Sequence, residues 1–199
     1  MPSQTDVLND ALSQIGATVI TGIDDGSINA NHCKRMYPAL LDDLLRSHHW
    51  NFAMRRAVLV ADAAAPLFEF AFSYTLPTDS LKIVEYNGAS LDTTNLSLFE
   101  STTVSRYKIE GRKLLTNDGE VKIVYVARVT DPNVWDSLFY QVVAGWLASK
   151  LASAITKDAR MARDLLQNTL SLLLPMALAV DGQEGTVEPF RADDLLRGR

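Results

Sequence analysis

Two stretches of helical periodicity open the chain. Between Ser3 and Ile15 the apolar residues recur on one helix face, which predicts a short amphipathic helix capped by Ser3 or Thr5 and stopped at Gly16. Turn formers fill residues 21–27, and a longer amphipathic pattern then runs to His48. Its continuous apolar face predicts a second helix that packs against other helices.

The pattern changes near residues 50–52 to short β-rich runs separated by Pro, Gly, Asn and Asp. Tight reversals are predicted at residues 110–112 and 117–119. The candidate strands are residues 57–61, 68–74, 81–86, 107–110, 113–115 and 121–126. This central segment is therefore predicted to be a small antiparallel β unit.

Helical spacing returns after Asp131, a candidate N-cap, with Pro132 as the first helical residue. This third helix is predicted to run through Ile155, and a break at residues 156–158 leads to a last leucine-rich helix. Pro175 is expected to kink or end that helix, because proline lacks the N–H that an interior position uses. The tail beyond residue 185 is mostly polar.

The order of elements predicts an α+β fold. We expect a four-helix body built from both chain ends, residues 1–52 and 130–180, with an inserted small antiparallel β unit at 53–129. Residues 181–199 are expected to form an extended C-terminal arm.

Composition narrows the class of protein. The 199 residues are 47% hydrophobic and 22% charged, as in ordinary globular proteins. The formal net charge of -5 argues against tight sequence-independent binding to DNA, because that affinity comes from Lys and Arg neutralising phosphates. The first residues lack a basic start with an apolar run, and uninterrupted apolar stretches are shorter than the roughly 20 residues of a membrane helix. A soluble product made in the cytoplasm is expected.

Markers of catalysis are missing from the sequence. There is no G-x-S-x-G elbow, phosphate-binding loop or dinucleotide fingerprint. His32, His48 and His49 do not have the spacing of metal ligands on a helix, and Cys33 beside His32 is interpreted as a small core residue. We expect no enzymatic activity, no metal and no cofactor.

Paired carboxylates leave one enzymatic alternative open, since a glycan hydrolase needs only two suitably placed acids. The candidates are Asp24, Asp25, Asp42, Asp43, Glu69, Glu85 and Glu100. The simpler interpretation is that Asp24 and Asp25 form a turn, and that Asp42 and Asp43 lie on the solvated face of the second helix.

Basic residues concentrate in the β segment, whereas the first helix has none. They indicate either a solvated sheet with edges protected by charge or a contact with a subunit or a passing nucleic acid. The candidates for a subunit or channel contact are Arg106, Lys108, Arg112 and Lys113.

Several segments carry a family resemblance over about residues 6–180. They are ALSQIG (11–16), YPALLDDLL (37–45), HWNF (49–52), FSYTLPTD (72–79), YKIEGR (107–112) and VYVARVTDP (124–132). In these segments the chain resembles the tail tubular protein A family, the head-to-tail adaptors or gatekeepers of short-tailed phages. They are structural signatures rather than catalytic ones.

The resemblance implies a structural virion protein at the head–tail junction. Such adaptors dock as a homo-oligomeric ring, commonly a dodecamer, beneath the portal protein, and they present a lower surface to the tail nozzle protein. Genomic DNA would pass through the channel with weak contact during ejection, and no membrane would be involved. A similar connector of long-tailed phages remains an alternative.

The resemblance also suggests a role for the tail, because the C-terminal segment of related adaptors is thought to reach up the portal. The candidate arm residues are Phe190, Arg191, Leu195, Leu196 and Arg197. Apolar anchors in an otherwise polar tail are typical of a segment that becomes ordered on binding.

Overall fold

The computed structural model describes residues 2–91 and 107–184, which form two compact units. The helical unit combines Met1–Ala53 with Arg128–Gly185, and the β unit is formed by Met54–Ala127. The predicted α+β class is confirmed, as is a helical body drawn from both chain ends with an antiparallel β insertion. The predicted C-terminal arm begins too early, because residues 181–183 still belong to the last helix, and its residues beyond 184 lie outside the described residues.

The described part of the helical unit has four long helical stretches besides two short 3-10 turns. The first two are α1 (Gln4–Gln14) and α2 (Ile28–Ser47). The third is α3 (Ser137–Leu151), which continues into a π-helical turn at Ala152–Thr156. The fourth stretch comprises α4 (Ala159–Asn168), a π-helical turn at Thr169–Leu173 and α5 (Leu174–Gln183).

Local chemistry explains where the first helix begins and ends. The Ser3 hydroxyl accepts a hydrogen bond from the Asp6 backbone N–H at 3.2 Å, and the Asp6 carboxylate accepts one from the Ser3 N–H at 2.7 Å. This reciprocal capping box satisfies two backbone donors at the helix start. After the helix the chain reverses at Gly16, whose φ of +68° favours glycine.

The core of the helical unit is centred on α3, with Phe139, Val142, Val143 and Leu147 fully buried. Trp50 is also fully buried, and its ring meets that of Phe139 edge-on at 4.8 Å. The Trp50 indole N–H donates to the Leu44 carbonyl at 3.0 Å, so its one polar atom is satisfied inside the core.

The described residues of the β unit form two antiparallel sheets. The four-stranded sheet has the order β1 (Met54–Leu59), β7 (Val121–Ala127), β3 (Ser80–Tyr86) and β4 (Ala89–Ser90). The three-stranded sheet has the order β2 (Phe72–Thr75), β6 (Lys113–Thr116) and β5 (Tyr107–Glu110). Glu110 pairs with Lys113, so Gly111 and Arg112 form the two-residue loop of a hairpin at the predicted reversal.

Two strand predictions have wrong boundaries. The first strand starts at Met54, earlier than the predicted residue 57, and the second starts at Phe72 rather than at residue 68. Residues 68–71 have a strand-like composition, but Glu69 has a φ of +71°, which a ladder residue does not adopt. The apolar run there belongs to a loop.

Two details of the later helices also differ from the prediction. Asp131 and Pro132 begin a short 3-10 turn, Pro132–Val134, and α3 starts only after Asp136, whose side chain accepts from the Leu138 N–H at 2.7 Å. Pro175 does not end the last helix, because it lies in the first turn of α5, directly after a π-helical turn. A π turn already breaks the regular hydrogen-bond ladder, so the missing proline donor disturbs less.

Two helical stretches, Ser137–Thr156 and Ala159–Gln183, are long and apolar enough to cross a membrane by length and composition alone. Their uninterrupted apolar runs are shorter than a membrane span, as expected, and the two stretches meet the criterion only on average hydropathy, since scattered polar residues interrupt both of them. More than half of the first stretch is buried within the protein, as in the core helix of a globular unit. Less than a fifth of the second is buried.

Candidate interaction surfaces

The side chains that were considered as nucleophiles or metal ligands do not form a reactive site in the part of the chain that the structure describes. Cys33 is fully buried in α2, and burial raises the pKa of its thiol to about 11, so the nucleophilic thiolate is disfavoured. The prediction of a small core residue is confirmed. Within residues 2–91 and 107–184, no group of three or more His, Cys, Asp or Glu side chains could hold a metal ion.

Four of the seven candidate carboxylates are engaged in turns or ion pairs. Asp25 accepts hydrogen bonds from the Ser27 and Thr21 N–H groups, which confirms the predicted turn, and Asp24 pairs with Lys34 at 2.6 Å. The Asp42 carboxylate accepts a hydrogen bond from Arg128 Nε at 2.7 Å. Asp42 is therefore ion-paired, whereas the sequence predicted only a solvent-exposed position on α2. Glu85 lies 3.9 Å from Arg56, and Glu100 is outside the described residues.

Three of the predicted basic contact residues, Lys108, Arg112 and Lys113, lie on the β5–β6 hairpin. Lys108 pairs with Glu110 at 2.7 Å, Lys113 pairs with Asp62 at 3.0 Å, and Arg112 donates to the Pro77 carbonyl. Arg106 lies outside the described residues. The hairpin therefore brings Lys108 and Lys113 together on one β-ribbon, each with an acidic partner in its own chain.

The proposed arm residues cannot be placed in the fold. Phe190, Arg191, Leu195, Leu196 and Arg197 all lie outside the described residues. Their assignment stays a prediction.

A buried carboxylate joins two segments that are distant in sequence. Asp181 in α5 is only 5% exposed, and it accepts hydrogen bonds from the Asn51 backbone N–H at 2.9 Å and from His48 Nε2 at 3.2 Å. The Asn51 side-chain amide also donates to the Asp181 carbonyl. Asp181 therefore fastens the end of α5 to the connector that follows α2, and sequence reasoning missed this contact.

The last helix carries an exposed apolar stripe, which we define as Leu172, Met176 and Val180. Their spacing of four residues places them on one helix face, and they are 52%, 47% and 37% exposed. The inward face of the same helix includes Ala177 and Asp181, both buried. Within the part of the chain that the structure describes, the stripe has no apolar cover.

The loop between β1 and β2, residues 60–71, is fastened at both ends. Near its start, the Asp62 carboxylate receives hydrogen bonds from Lys113, Ser73 and Thr75, and these contacts lower its pKa to about 2. At its end, the Ala71 N–H donates to the Asn117 side chain at 2.8 Å. These anchors hold the loop against the three-stranded sheet.

The apex of this loop, which we call the tip, consists of Leu67 and Phe68. The Phe70 N–H donates to the Phe68 carbonyl at 2.9 Å across Glu69, whose φ is +71°. This is a γ-turn of the strained kind. It turns Phe70 inward, where it is 7% exposed, and leaves Leu67 98% and Phe68 78% exposed.

The four-stranded sheet presents a shallow groove of about 370 Å³ on one face. Directly opposed residues of an antiparallel pair point to the same side, so the pairs Arg56–Val124 and Val58–Lys122 share this face. Glu85 also faces Val124 there. Val58 is 64% exposed. The groove is therefore apolar at its centre, with two basic side chains and one acidic side chain around it.

Comparisons with known proteins do not identify the chain. No protein-family model matches it, and no curated protein matches its sequence.

Proposed function

We propose that this chain is a structural virion protein, a head-to-tail adaptor that docks as a ring beneath a portal and continues its DNA channel toward the tail nozzle. The proposal begins from the sequence resemblance described above. The structure has two helical stretches, a β insertion and two more helical stretches, and the resemblance also implies a helical body with a β-rich insertion.

The observation that carries the proposal is the presence of two separate apolar surfaces that the described chain does not cover. The stripe belongs to the helical unit and the tip belongs to the β unit. A large exposed apolar side chain is often an isolated feature, but clustered ones mark interaction sites. A ring closes through two different patches on each subunit, and a subunit between two partner proteins needs further surfaces.

Charge supports the same function. The net charge of -5 suits a channel through which DNA must slide, since sequence-independent affinity would require many uncompensated basic residues. Lys108 and Lys113 both have acidic partners in their own chain. Contact with passing DNA is therefore expected to be weak.

The test is reconstitution with a portal. Purified full-length chain is mixed with the portal of the same phage and imaged by electron microscopy. The expected result is an added ring-shaped layer at the lower face of the portal, with the nozzle protein adding only after this layer. A portal that never gains the layer, at any concentration of the chain, would contradict the proposed function.

The arm can be tested in the same assay. Deletion of residues 188–199 is expected to leave the helical content unchanged and to weaken docking. A sharper variant replaces Phe190, Leu195 and Leu196 by Ser, and its matched control replaces the neighbouring Asp193 and Asp194 by Ser. Docking that is equally strong in both variants would contradict the role of the arm in docking. The adaptor function itself would still be decided by whether the portal gains a layer.

A further inference from the structure

We propose that the C-terminal segment, residues 185–199, folds back along α5 and covers the stripe of Leu172, Met176 and Val180 in the free chain. Docking then moves this segment from the stripe to the portal and uncovers the stripe for a neighbouring subunit. The release on docking rests on the proposed function, whereas the fold-back does not. The inference names the occupant of an apolar surface and the event that exposes it.

The stripe is a surface that needs an apolar cover. Its three side chains follow one another on one face of the helix, and each is exposed in the described part of the chain. Exposed apolar side chains in a cluster mark an interaction site, because each gains free energy when it leaves water. Residues 169–180 include no charged side chain. The surface therefore attracts an occupant mainly through apolar contact.

The place where the described chain ends favours its own C-terminal segment as that occupant. Glu184 follows α5 directly and lies four residues beyond Val180. Leu172 lies about 18 Å back along the helix from Glu184, at a rise of roughly 1.5 Å per residue. The residues after Glu184 can span up to roughly 50 Å when extended. The segment therefore reaches the whole stripe even when several of its residues are used to turn back.

The composition of the segment suits the contact. Gly185 directly follows Glu184, the cap residue of α5, and glycine at that position lets a chain reverse its direction after a helix. Acidic and basic residues are equally numerous in the segment, so its net charge opposes no contact with an uncharged helix face. Its large apolar residues are Val187, Phe190, Leu195 and Leu196.

The covalent link favours this occupant over a separate molecule. A segment joined to α5 by a few residues meets the stripe at an effective concentration in the millimolar range. A second copy of the chain has to overcome that competition before it binds the same surface. The portal displaces the segment because it binds the same apolar residues, Phe190, Leu195 and Leu196, as the proposed function requires.

Cross-linking within one chain tests the fold-back. A full-length chain with Cys33→Ala, Asp194→Cys and Leu172→Cys is oxidised at low concentration, and the disulfide is identified by mass spectrometry. The matched control carries Ser171→Cys in place of Leu172→Cys. Ser171 is also exposed and equally far from the segment along the chain, but it points about 100° away around the helix.

The disulfide within the chain is expected to form at least about tenfold faster with Leu172→Cys than with Ser171→Cys, because folding back raises the local concentration on one face only. Equal rates, or disulfides formed only between chains, would overturn the fold-back.

Binding of the dye anilinonaphthalene sulfonate provides a second measurement that needs no cysteine. Deletion of residues 185–199 is expected to raise the dye fluorescence, because the stripe becomes accessible, while circular dichroism shows the same helical content. Adding Leu172→Ser and Met176→Ser to the shortened chain should abolish the increase. The tip is present in every variant, so its contribution stays constant. Unchanged dye fluorescence after the deletion would overturn the fold-back.

The portal separates this inference from the adaptor function. The oxidised chain, with residues 172 and 194 linked, is expected to add no layer to the portal until dithiothreitol reduces the disulfide. Equal docking of the oxidised and reduced chains would overturn the release on docking.

The remaining outcomes also decide between the proposals. A chain that adds the layer but shows neither the selective disulfide nor the dye increase overturns the fold-back and leaves the adaptor in place. A chain that shows both but never adds the layer overturns the adaptor and leaves the fold-back in place. A full-length dimer that dissociates on Leu172→Ser with Met176→Ser would place a second copy on the stripe and overturn the fold-back.

Discussion

At the scale of single residues, the Asp181 carboxylate connects two parts of the chain that are far apart in sequence. It is buried, and both of its oxygens accept hydrogen bonds, one from the Asn51 N–H and one from His48. Removing a buried acceptor leaves its backbone donor unpaired and away from water, which costs folding free energy. The acceptor therefore stabilises the fold mainly by preventing that loss. The connector after α2 therefore depends on one side chain of α5.

Asp181→Ala is expected to lower the free energy of unfolding of the helical unit by about 1–3 kcal/mol, because the Asn51 N–H loses its partner. Tryptophan fluorescence during urea unfolding measures this unit selectively, since Trp50, Trp135 and Trp146 all belong to it. The control is Asp164→Ala on α4, whose ion pair with Arg160 is exposed and 3.9 Å long. Equal effects of the two substitutions would show that burial of Asp181 is unimportant.

Asp62 is expected to make the β unit sensitive to acid. Hydrogen bonds from Lys113, Ser73 and Thr75 lower its pKa from the ordinary 3.8 to about 2. Because the folded-state pKa is the lower one, the stabilisation is complete above about pH 4 and is lost as the pH falls toward about 2. The stability difference between the parent and Asp62→Asn should therefore shrink over that interval.

Urea unfolding at a series of pH values, read from the amide NMR signals of β2 and β6, measures this difference. A Lys113→Gln background should reduce its pH dependence, because the strongest contact to the carboxylate is then gone. A difference that stays constant from pH 6 to pH 2 would contradict the prediction.

Residue-level prediction from sequence succeeded where the cause is local. The Ser3 cap, the turn at Asp25 and the buried Cys33 each follow from neighbouring residues or from helix periodicity. The contact between His48 and Asp181 spans 133 residues, and nothing in either local sequence indicates it. Exposure of Leu67 and Phe68 was also missed, because apolar composition alone predicts burial.

At the scale of elements, α3 packs closely against the π-helical turn that follows α4, at Gly145. A Cβ placed on Gly145 would lie 2.6 Å from Thr169 Oγ1 and 3.6 Å from a Leu173 methyl carbon. The Thr169 hydroxyl donates to the Leu165 carbonyl at 2.8 Å and is buried, so it has little freedom to move away. The glycine is thus required by packing rather than by its backbone angles.

Gly145→Ala is expected to destabilise the helical unit by about 1–3 kcal/mol, the usual cost of overpacking. Tryptophan-detected unfolding measures the loss, and Gly22→Ala, which has open space around it, is the control. Adding Thr169→Ala should recover part of the loss, because it removes the clashing oxygen. If Gly145→Ala has the same free energy of unfolding as the parent, α3 and the π turn at Thr169 can move apart without loss of stability, which would contradict the prediction.

The sequence predicted secondary-structure elements well where a helix has a regular apolar period. It predicted them less well where the helical hydrogen-bond pattern changes within a few residues. Sequence periodicity predicted α1, α2 and the break at Lys157, which has a φ of +57°. It could not indicate the π-helical turns, because a π turn leaves no characteristic residue pattern. Pro175 therefore lies inside a continuous helical stretch, next to a π turn, rather than at the end of a helix.

At the scale of the whole molecule, the β unit is an insertion whose two ends are adjacent. Met54 at its start pairs directly with Val126 near its end, and opposed residues of an antiparallel pair are about 5 Å apart. The chain therefore leaves the helical unit and returns to it through neighbouring positions. Sequence order predicted an insertion, whereas the strand pairing that closes it became visible only in the structure.

Replacing residues 54–127 by a short Gly-Ser-Gly linker is expected to leave a folded helical unit, because the linker spans the same short gap. Circular dichroism and tryptophan-detected cooperative unfolding measure this. Loss of all cooperative unfolding would show that the helical unit needs the insertion to fold.

The pairing of β1 with β7 also has a mechanical consequence. Tension pulling Ala53 and Arg128 apart would load the ladder from the Met54–Val126 end, one pair of hydrogen bonds at a time. Strands loaded in this unzipping geometry separate at lower force than strands sheared along their length, because the bonds do not share the load. The β unit should therefore peel open gradually under an outward pull on the helical unit.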